Sequence, residues 1–178
     1  MYQIELYRDC LAFAAFAHQK QMMPGSNLPY LLHLTEVAAE VICVMPLRPD
    51  LDSDLLVSCA VLHDVLEDTS VAFATLAEQF GRATAEGVQA LSKNATLPKD
   101  AQMEDSLSRI LAQPTEVAIV KMADRIVNLK EPPHYWTIDK RKSYQEEARL
   151  IHRQLKKADV YMAERLENKI IMYEKYLS

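Results

Sequence analysis

Glycine is nearly missing from this chain, with 3 residues among 178, and proline contributes only 8. So little turn chemistry cannot serve the many hairpins of a β-sandwich or barrel, and the absence of internal repeats excludes a solenoid. Long apolar runs are lacking too. The longest stretch without a charged residue, Gln21 to Thr35, has 15 residues and contains Pro24, Gly25, Pro29 and His33, short of the ~20 apolar residues of a membrane span. The first ten residues, MYQIELYRDC, carry Glu5, Arg8 and Asp9 where a secretory signal needs its apolar stretch, so the chain reads as cytoplasmic. A basic surplus is also missing. The 20 Lys and Arg face 25 Asp and Glu, a formal charge of −5. That balance excludes long nucleic acid and anionic membranes as partners but leaves a small anionic ligand open. The three cysteines, Cys10, Cys43 and Cys59, are odd in number, far apart and set among apolar residues, which reads as reduced core thiols and not as disulfides or a zinc site.

What is present is core material, with 49% hydrophobic and 25% charged residues. That composition suits one compact domain over residues 1–178. Amphipathic periodicity predicts helices at about 3–20, 30–45, 54–67, 72–80, 82–92, 99–112, 115–130, 138–157 and 159–176, with prolines and small polar residues as the stops. The fold class is therefore all-α, a helical bundle of about eight to ten helices with little or no strand.

Three segments carry chemistry. Residues 61–69, Val-Leu-His-Asp-Val-Leu-Glu-Asp-Thr, put His63, Asp64, Glu67 and Asp68 at the end of an otherwise apolar helix. On a continuous helix His63 and Glu67 are neighbours one turn apart, as are Asp64 and Asp68. Burying such a cluster costs several kcal/mol unless carboxylates protonate or a cation is bound, and a divalent metal resolves the conflict. Residues 120–130, Val-Lys-Met-Ala-Asp-Arg-Ile-Val-Asn-Leu-Lys, align Lys121, Asp124 and Asn128 along one helical edge. Residues 30–34, Tyr-Leu-Leu-His-Leu, place His33 in an apolar helix start. His18 and His152 lack acidic companions at ligand spacing and are read as non-ligands.

The order His33, His63-Asp64, Asp124 resembles the H…HD…D pattern of the HD-domain metal-dependent phosphohydrolases. The likeness is closer to the RelA/SpoT-type (p)ppGpp hydrolase domain and its small stand-alone metazoan-type relatives. It runs through Pro29-Tyr30-x-x-His33, Leu62-His63-Asp64-x-x-Glu67-Asp68-Thr69, Phe80-Gly81, Thr96-Leu97-Pro98-Lys99 and Val120-Lys121-x-Ala123-Asp124-Arg125-x-x-Asn128-Leu129. The resemblance implies that His33, His63, Asp64 and Asp124 bind one divalent ion, in this family usually Mn²⁺. It implies that Glu67 and Asp68 form the acidic pair that positions and deprotonates the attacking water. It further implies that Asn128 contacts the ribose of a small-molecule nucleotide. Lys121, Arg125 and Lys130 are candidates either for phosphate contact or for ion pairs within their helix, and Lys20, Lys99 and Arg141 are further candidates for substrate binding. The implied reaction removes the 3′-pyrophosphate of (p)ppGpp, giving GDP or GTP plus pyrophosphate. Two alternatives stay open: an HD phosphohydrolase for another nucleotide, such as a nucleoside monophosphate or NADPH, and a nucleotide-binding sensor without turnover.

The sequence departs from that pattern where relatives carry basic residues before Pro-Tyr. Here residues 19–27 read Gln-Lys-Gln-Met-Met-Pro-Gly-Ser-Asn, with Lys20 the only cation. His134, Tyr135 and Trp136 follow a double proline and serve either as a base-stacking lid or as a buried anchor. Charge is unevenly divided along the chain. Residues 1–90 hold 4 Lys and Arg against 12 Asp and Glu, whereas residues 91–178 hold 16 against 13. The acidic half supplies most of the proposed metal and water-activating groups, and the basic half supplies side chains able to meet phosphate.

Overall fold

The computed structural model describes residues 2–178. Among them are ten α-helices: α1 Ile4–Ala17, α2 Leu31–Val44, α3 Ser53–Leu62, α4 Val65–Asp68, α5 Phe73–Phe80, α6 Arg82–Leu91, α7 Lys99–Leu111, α8 Thr115–Asn128, α9 Ile138–Leu155 and α10 Val160–Tyr173. A 3₁₀ turn, Glu174–Tyr176, follows. No strand occurs among the described residues; the one β-type contact is an isolated antiparallel bridge between Met22 and Pro29. None of these helices is long and apolar enough to cross a membrane.

The helix ends follow from local chemistry. The Asp52 carboxylate accepts from the amides of Asp54 and Leu55, both at 3.0 Å, and so caps α3. Thr137 and Asp159 do the same for α9 and α10. Pro98 and Pro114 stand directly before α7 and α8, where a missing amide hydrogen costs no helical bond.

Two helices form the centre. Every residue of α3 from Leu55 to Leu62 is buried, as is every residue of α8 from Glu116 to Ile126. They pack on each other, and α2 packs on both, while α1 and α6 cover α3 and the α9–α10 pair covers α8. Close approach of α6 depends on Gly87, where a Cβ would meet Cys59 Sγ at 2.7 Å and Val117 Cγ2 at 3.1 Å. Burying the apolar faces of these helices is the main stabilising term, at about 25 cal/mol per Å² removed from water.

Two expectations are corrected. Cys43 is exposed, unlike Cys10 and Cys59. The buried stripe of α2 is Val37, Ala38, Val41 and Val44, and Cys43, two residues beyond Val41, falls about 200° away around the helix. The helix expected over 54–67 is broken after Leu62 and restarts at Val65. His63 Nδ1 donates to the Ala60 carbonyl at 2.8 Å. Asp64 turns to φ −100° and ψ −1°, and the Asp68 amide then donates to the Asp64 carbonyl at 2.9 Å to begin a new turn.

Candidate metal centre and active site

The break in the third predicted helix makes the site. Adjacent residues on a continuous helix do not face each other, so a straight segment would aim His63 and Asp64 about 100° apart. With the break between α3 and α4, His63 Nε2 lies 3.0 Å from Asp64 Oδ2. His33, from the first turn of α2, brings its Nε2 to 3.2 Å from His63 Nε2 and 3.7 Å from Asp64 Oδ2. Asp124, from the last part of α8, completes the group. Its Oδ1 lies 3.5 Å from His33 Nε2 and 3.8 Å from His63 Nε2. Four side chains from three parts of the fold thus point at one place.

Neighbouring groups orient each of them. The Tyr30 hydroxyl donates to Asp64 Oδ2. Lys121 Nζ donates to Asp124 Oδ2 at 3.1 Å, and Asn128 Nδ2 donates to Asp124 Oδ1 at 2.6 Å. Because His63 Nδ1 donates to Ala60, it is Nε2 that faces the cluster, the nitrogen a metal would take in exchange for its proton.

The electrostatics reflect crowded charge out of water. Burial alone would raise both carboxyl groups; the surrounding cations and donors outweigh it, His63 first for Asp64 and Lys121 first for Asp124, and hold both well below the usual range. Burial alone would lower His33, but its hydrogen bonds to Asp124 and Asp64 lift it to about 9. His63 is raised as well, by Asp64 against the effect of burial. Burial and the Asp64 charge together raise Tyr30. In the metal-free protein, protons on the imidazoles therefore do the neutralising that a cation would do.

The donor set fits a divalent ion. His33, His63 and Asp64 each offer a ligand atom within 4.8 Å of the others. The separations of 3.0–3.8 Å from the two imidazoles to the carboxylates of Asp64 and Asp124 resemble the edges of a coordination shell with bonds of about 2.1 Å. Mixed imidazole and carboxylate ligands suit a first-row metal.

Glu67 and Asp68 sit on the short α4 and are exposed. Glu67 Oε2 accepts from the Lys93 amide at 2.7 Å, and Asp68 Oδ2 accepts from Gln21 Nε2 at 2.8 Å. A cavity of 230 Å³ opens beside His33, with Tyr30, Asn128, Lys130, Trp136 and Tyr144 among its walls. Trp136 meets Tyr144 edge-on at 5.0 Å, whereas His134 and Tyr135 are exposed.

Of the predicted cations, Lys130 lines this cavity, with its Nζ 3.1 Å from Glu36 Oε2; the others are engaged within the fold or lie elsewhere. Lys121 is spent on Asp124. Arg125 is 3% exposed; it pairs with Glu147 and stacks 4.2 Å above the Tyr144 ring. Arg141 donates to the Tyr176 carbonyl at 3.2 Å and lines an outer groove of 670 Å³. Lys20 and Lys99 are exposed and line neither space. Met23 and Pro24 form part of the cavity wall instead. The Met23–Leu28 loop is pinned to the double proline, since Gly25, at φ +75°, approaches so closely that a Cβ would lie 3.0 Å from Pro133 Cβ.

Sequence reasoning assigned no role to Tyr30 and Gln21 and set His18 aside. Tyr30 stands 34 positions before its partner Asp64, and Gln21 stands 47 before Asp68. No local pattern links residues so far apart.

Comparison with known proteins gives a consistent picture. The family described as HD domain matches residues 10–161. The guanosine-3′,5′-bis(diphosphate) 3′-pyrophosphohydrolase MESH1 of Danio rerio is 26% identical over 164 residues, covering 89% of each chain. The protein of the same name from Drosophila melanogaster is 24% identical over 143 residues, covering 78% of each. The bifunctional (p)ppGpp synthase/hydrolase SpoT of Escherichia coli is 34% identical over 134 residues, which are 72% of this chain and 18% of that one. A solved structure described as a metazoan ortholog of SpoT that hydrolyzes ppGpp superposes with a TM-score of 0.83 at 22% identity, covering 100% of this chain and 99% of the other.

Proposed function

The chain belongs to the HD-domain family, and from that premise we propose that it is a Mn²⁺-dependent hydrolase that removes the 3′-pyrophosphate of (p)ppGpp. The observation that carries this reading is the convergence of His63, Asp64 and Asp124 on His33, which itself lines a cavity whose wall includes Asn128. The relatives covered over most of their length bear the name of that activity.

These four side chains would hold the ion, which when bound supplies positive charge for the phosphoryl group and lowers the pKa of water. The remaining work falls to the protein. Asn128 and the aromatic wall of Tyr144 and Trp136 receive the nucleoside, and Lys130, held at the rim by Glu36 at 3.1 Å, is the cation in reach of phosphate. Glu67 and Asp68 hold the attacking water and take its proton. A new bond forms from the water oxygen to phosphorus, the bond to the ribose 3′-oxygen breaks, and a proton ends on that oxygen. The products are GDP or GTP and pyrophosphate.

A second reading, hydrolysis of another nucleotide such as NADPH or a nucleoside monophosphate, is favoured by one feature. Met23 and Pro24 line the cavity on the loop where Lys20 is the only cation, and Lys20 lies off the wall. One assay separates the two. Protein freed of metal and given Mn²⁺ is incubated with ppGpp, NADPH and nucleoside monophosphates, and the released species is identified. Pyrophosphate from ppGpp, lost on chelation, is expected; phosphate from the others alone overturns the main reading.

A further inference from the structure

We propose that Gln21 and His18 form a positioning relay that holds the Asp68 carboxylate in its working orientation. The inference rests on reading Asp68 as part of the water-activating pair. Asp68 is exposed on a helix of four residues, and an exposed carboxylate rotates freely unless something fixes it. Gln21 supplies the tether, with Nε2 donating to Asp68 Oδ2 at 2.8 Å. That leaves Oδ1 for water.

An amide can face either way, and only one way serves Asp68. His18 decides which. Its Nδ1 lies 2.7 Å from Gln21 Oε1, so an imidazole protonated at Nδ1 requires the amide oxygen on its side and turns the amide nitrogen toward Asp68. The other ring nitrogen, Nε2, is buried and has no partner, consistent with this tautomer. His18 itself is 4% exposed and is clamped by its ring lying on that of Tyr30, 5.1 Å between centroids at 28°. The backbone holds the same corner. The Gln21 amide donates to the His18 carbonyl at 2.8 Å, and the Tyr30 amide donates to the Gln21 carbonyl at 3.0 Å. Since the Tyr30 hydroxyl reaches Asp64, this one corner orients both a metal-facing carboxylate and a water-facing one.

The choice of an amide has a chemical reason. A Lys or Arg at position 21 would pair with Asp68 and weaken it as a base. A neutral donor fixes the carboxylate and leaves its charge for the proton it must accept.

The test is kinetic and structural. Gln21→Met keeps chain length but removes the donor. It is expected to lower kcat about 10- to 100-fold, with KM and Mn²⁺ affinity within about 2-fold of wild type. In an Asp68→Asn background the same change is expected to cost nothing further, because its effect runs through Asp68. His18→Phe, which keeps a ring on Tyr30 but has no donor, is expected to lower kcat, and His18→Asn, whose amide nitrogen can take the place of Nδ1, to restore it. Wild-type kcat in Gln21→Met, or an additive loss in the double variant, overturns the relay while leaving Asp68 in the mechanism. Full activity of Asp68→Asn overturns the reading of Asp68 and the relay with it. Crystal structures of wild type and Gln21→Met supply a test free of turnover: Asp68 should leave its rotamer in the variant, and an unmoved, ordered carboxylate overturns the relay.

Discussion

Tyr30 and Asp64 meet across 34 residues of chain, the phenol donating to the same carboxylate oxygen that lies 3.0 Å from His63 Nε2. The hydroxyl thus sets the angle at which Asp64 presents itself to the proposed ion. Tyr30→Phe removes that one donor and keeps the ring that His18 stacks on. Outer partners of metal ligands typically carry about 10- to 100-fold in affinity or activity. A loss of Mn²⁺ affinity in that range is expected by isothermal titration calorimetry, with the far-ultraviolet circular dichroism unchanged. Wild-type affinity would remove Tyr30 from the metal site.

The proposed metal and protons would compete for the same nitrogens, and this sets a pH dependence. His33 stands near 9 in the metal-free fold against about 6.5 when unfolded. A raised histidine contributes stability that is fully present below the unfolded value and is lost as pH rises through the folded one. Chelated protein should therefore lose up to about 3 kcal/mol between pH 6.5 and 9. Manganese should reverse the trend, because fewer protons need to be displaced as pH rises. Thermal unfolding in EDTA and in Mn²⁺ at pH 6.5, 7.5 and 9 checks both slopes. An apo Tm that climbs toward pH 9 contradicts this account of His33.

Much of the fold was legible because its helix ends are written locally, in Asp52, Pro98, Pro114, Thr137 and Asp159. The segment 61–69 was legible as chemistry but not as shape. Apolar periodicity continues through Leu62 and Val65, both fully buried, and so conceals a break that depends on the bond from His63 to the Ala60 carbonyl. The convergence of His33 with Asp124 depends on α2 crossing α8, which periodicity does not encode. His18 was unreadable for a related reason, since its value lies in Gln21 and Tyr30 and not in an acidic neighbour.

Arg125 illustrates the same gap and is directly testable. Its guanidinium is buried on Tyr144 and paired with Glu147. A phosphate-binding role predicts a raised KM on substitution, whereas this packing predicts a loss of stability. Arg125→Met leaves Glu147 half-buried without its cation; breaking a fully buried pair costs about 3–5 kcal/mol, and solvent at Glu147 brings this one below that range. The expected result is a depressed Tm with the KM of the residual folded enzyme near wild type. An unchanged Tm with a KM raised tenfold would return Arg125 to the substrate.

Gly87 tests the packing that brings α6 onto the two central helices. Alanine there gains up to about 1 kcal/mol in helix propensity. Its Cβ would stand 2.7 Å from Cys59 Sγ and 3.1 Å from Val117 Cγ2, and overpacking of this kind costs about 1–3 kcal/mol. Both neighbours lie on the fully buried faces of α3 and α8, so the loss prevails. Gly87→Ala should unfold at lower denaturant, and adding Cys59→Ala should recover part of the difference. Equal midpoints for wild type and Gly87→Ala would show that the core yields there.

Glu67 separates chemistry from architecture most cleanly. Its carboxylate does two things: Oε2 accepts from the Lys93 amide, holding residue 93 beside α4, and the group as a whole is proposed to take a proton from water. Glu67→Gln preserves the first role, because an amide oxygen accepts the Lys93 hydrogen equally well. It abolishes the second, because an amide has no basic lone pair near neutral pH. The variant should keep its Tm and its Mn²⁺ affinity while kcat falls about 10²- to 10⁴-fold. Glu67→Ala should lose the contact to Lys93 as well, adding a lower Tm to the same kinetic defect. A Glu67→Gln protein that turns over ppGpp at the wild-type rate would leave Asp68 as the sole base at the site.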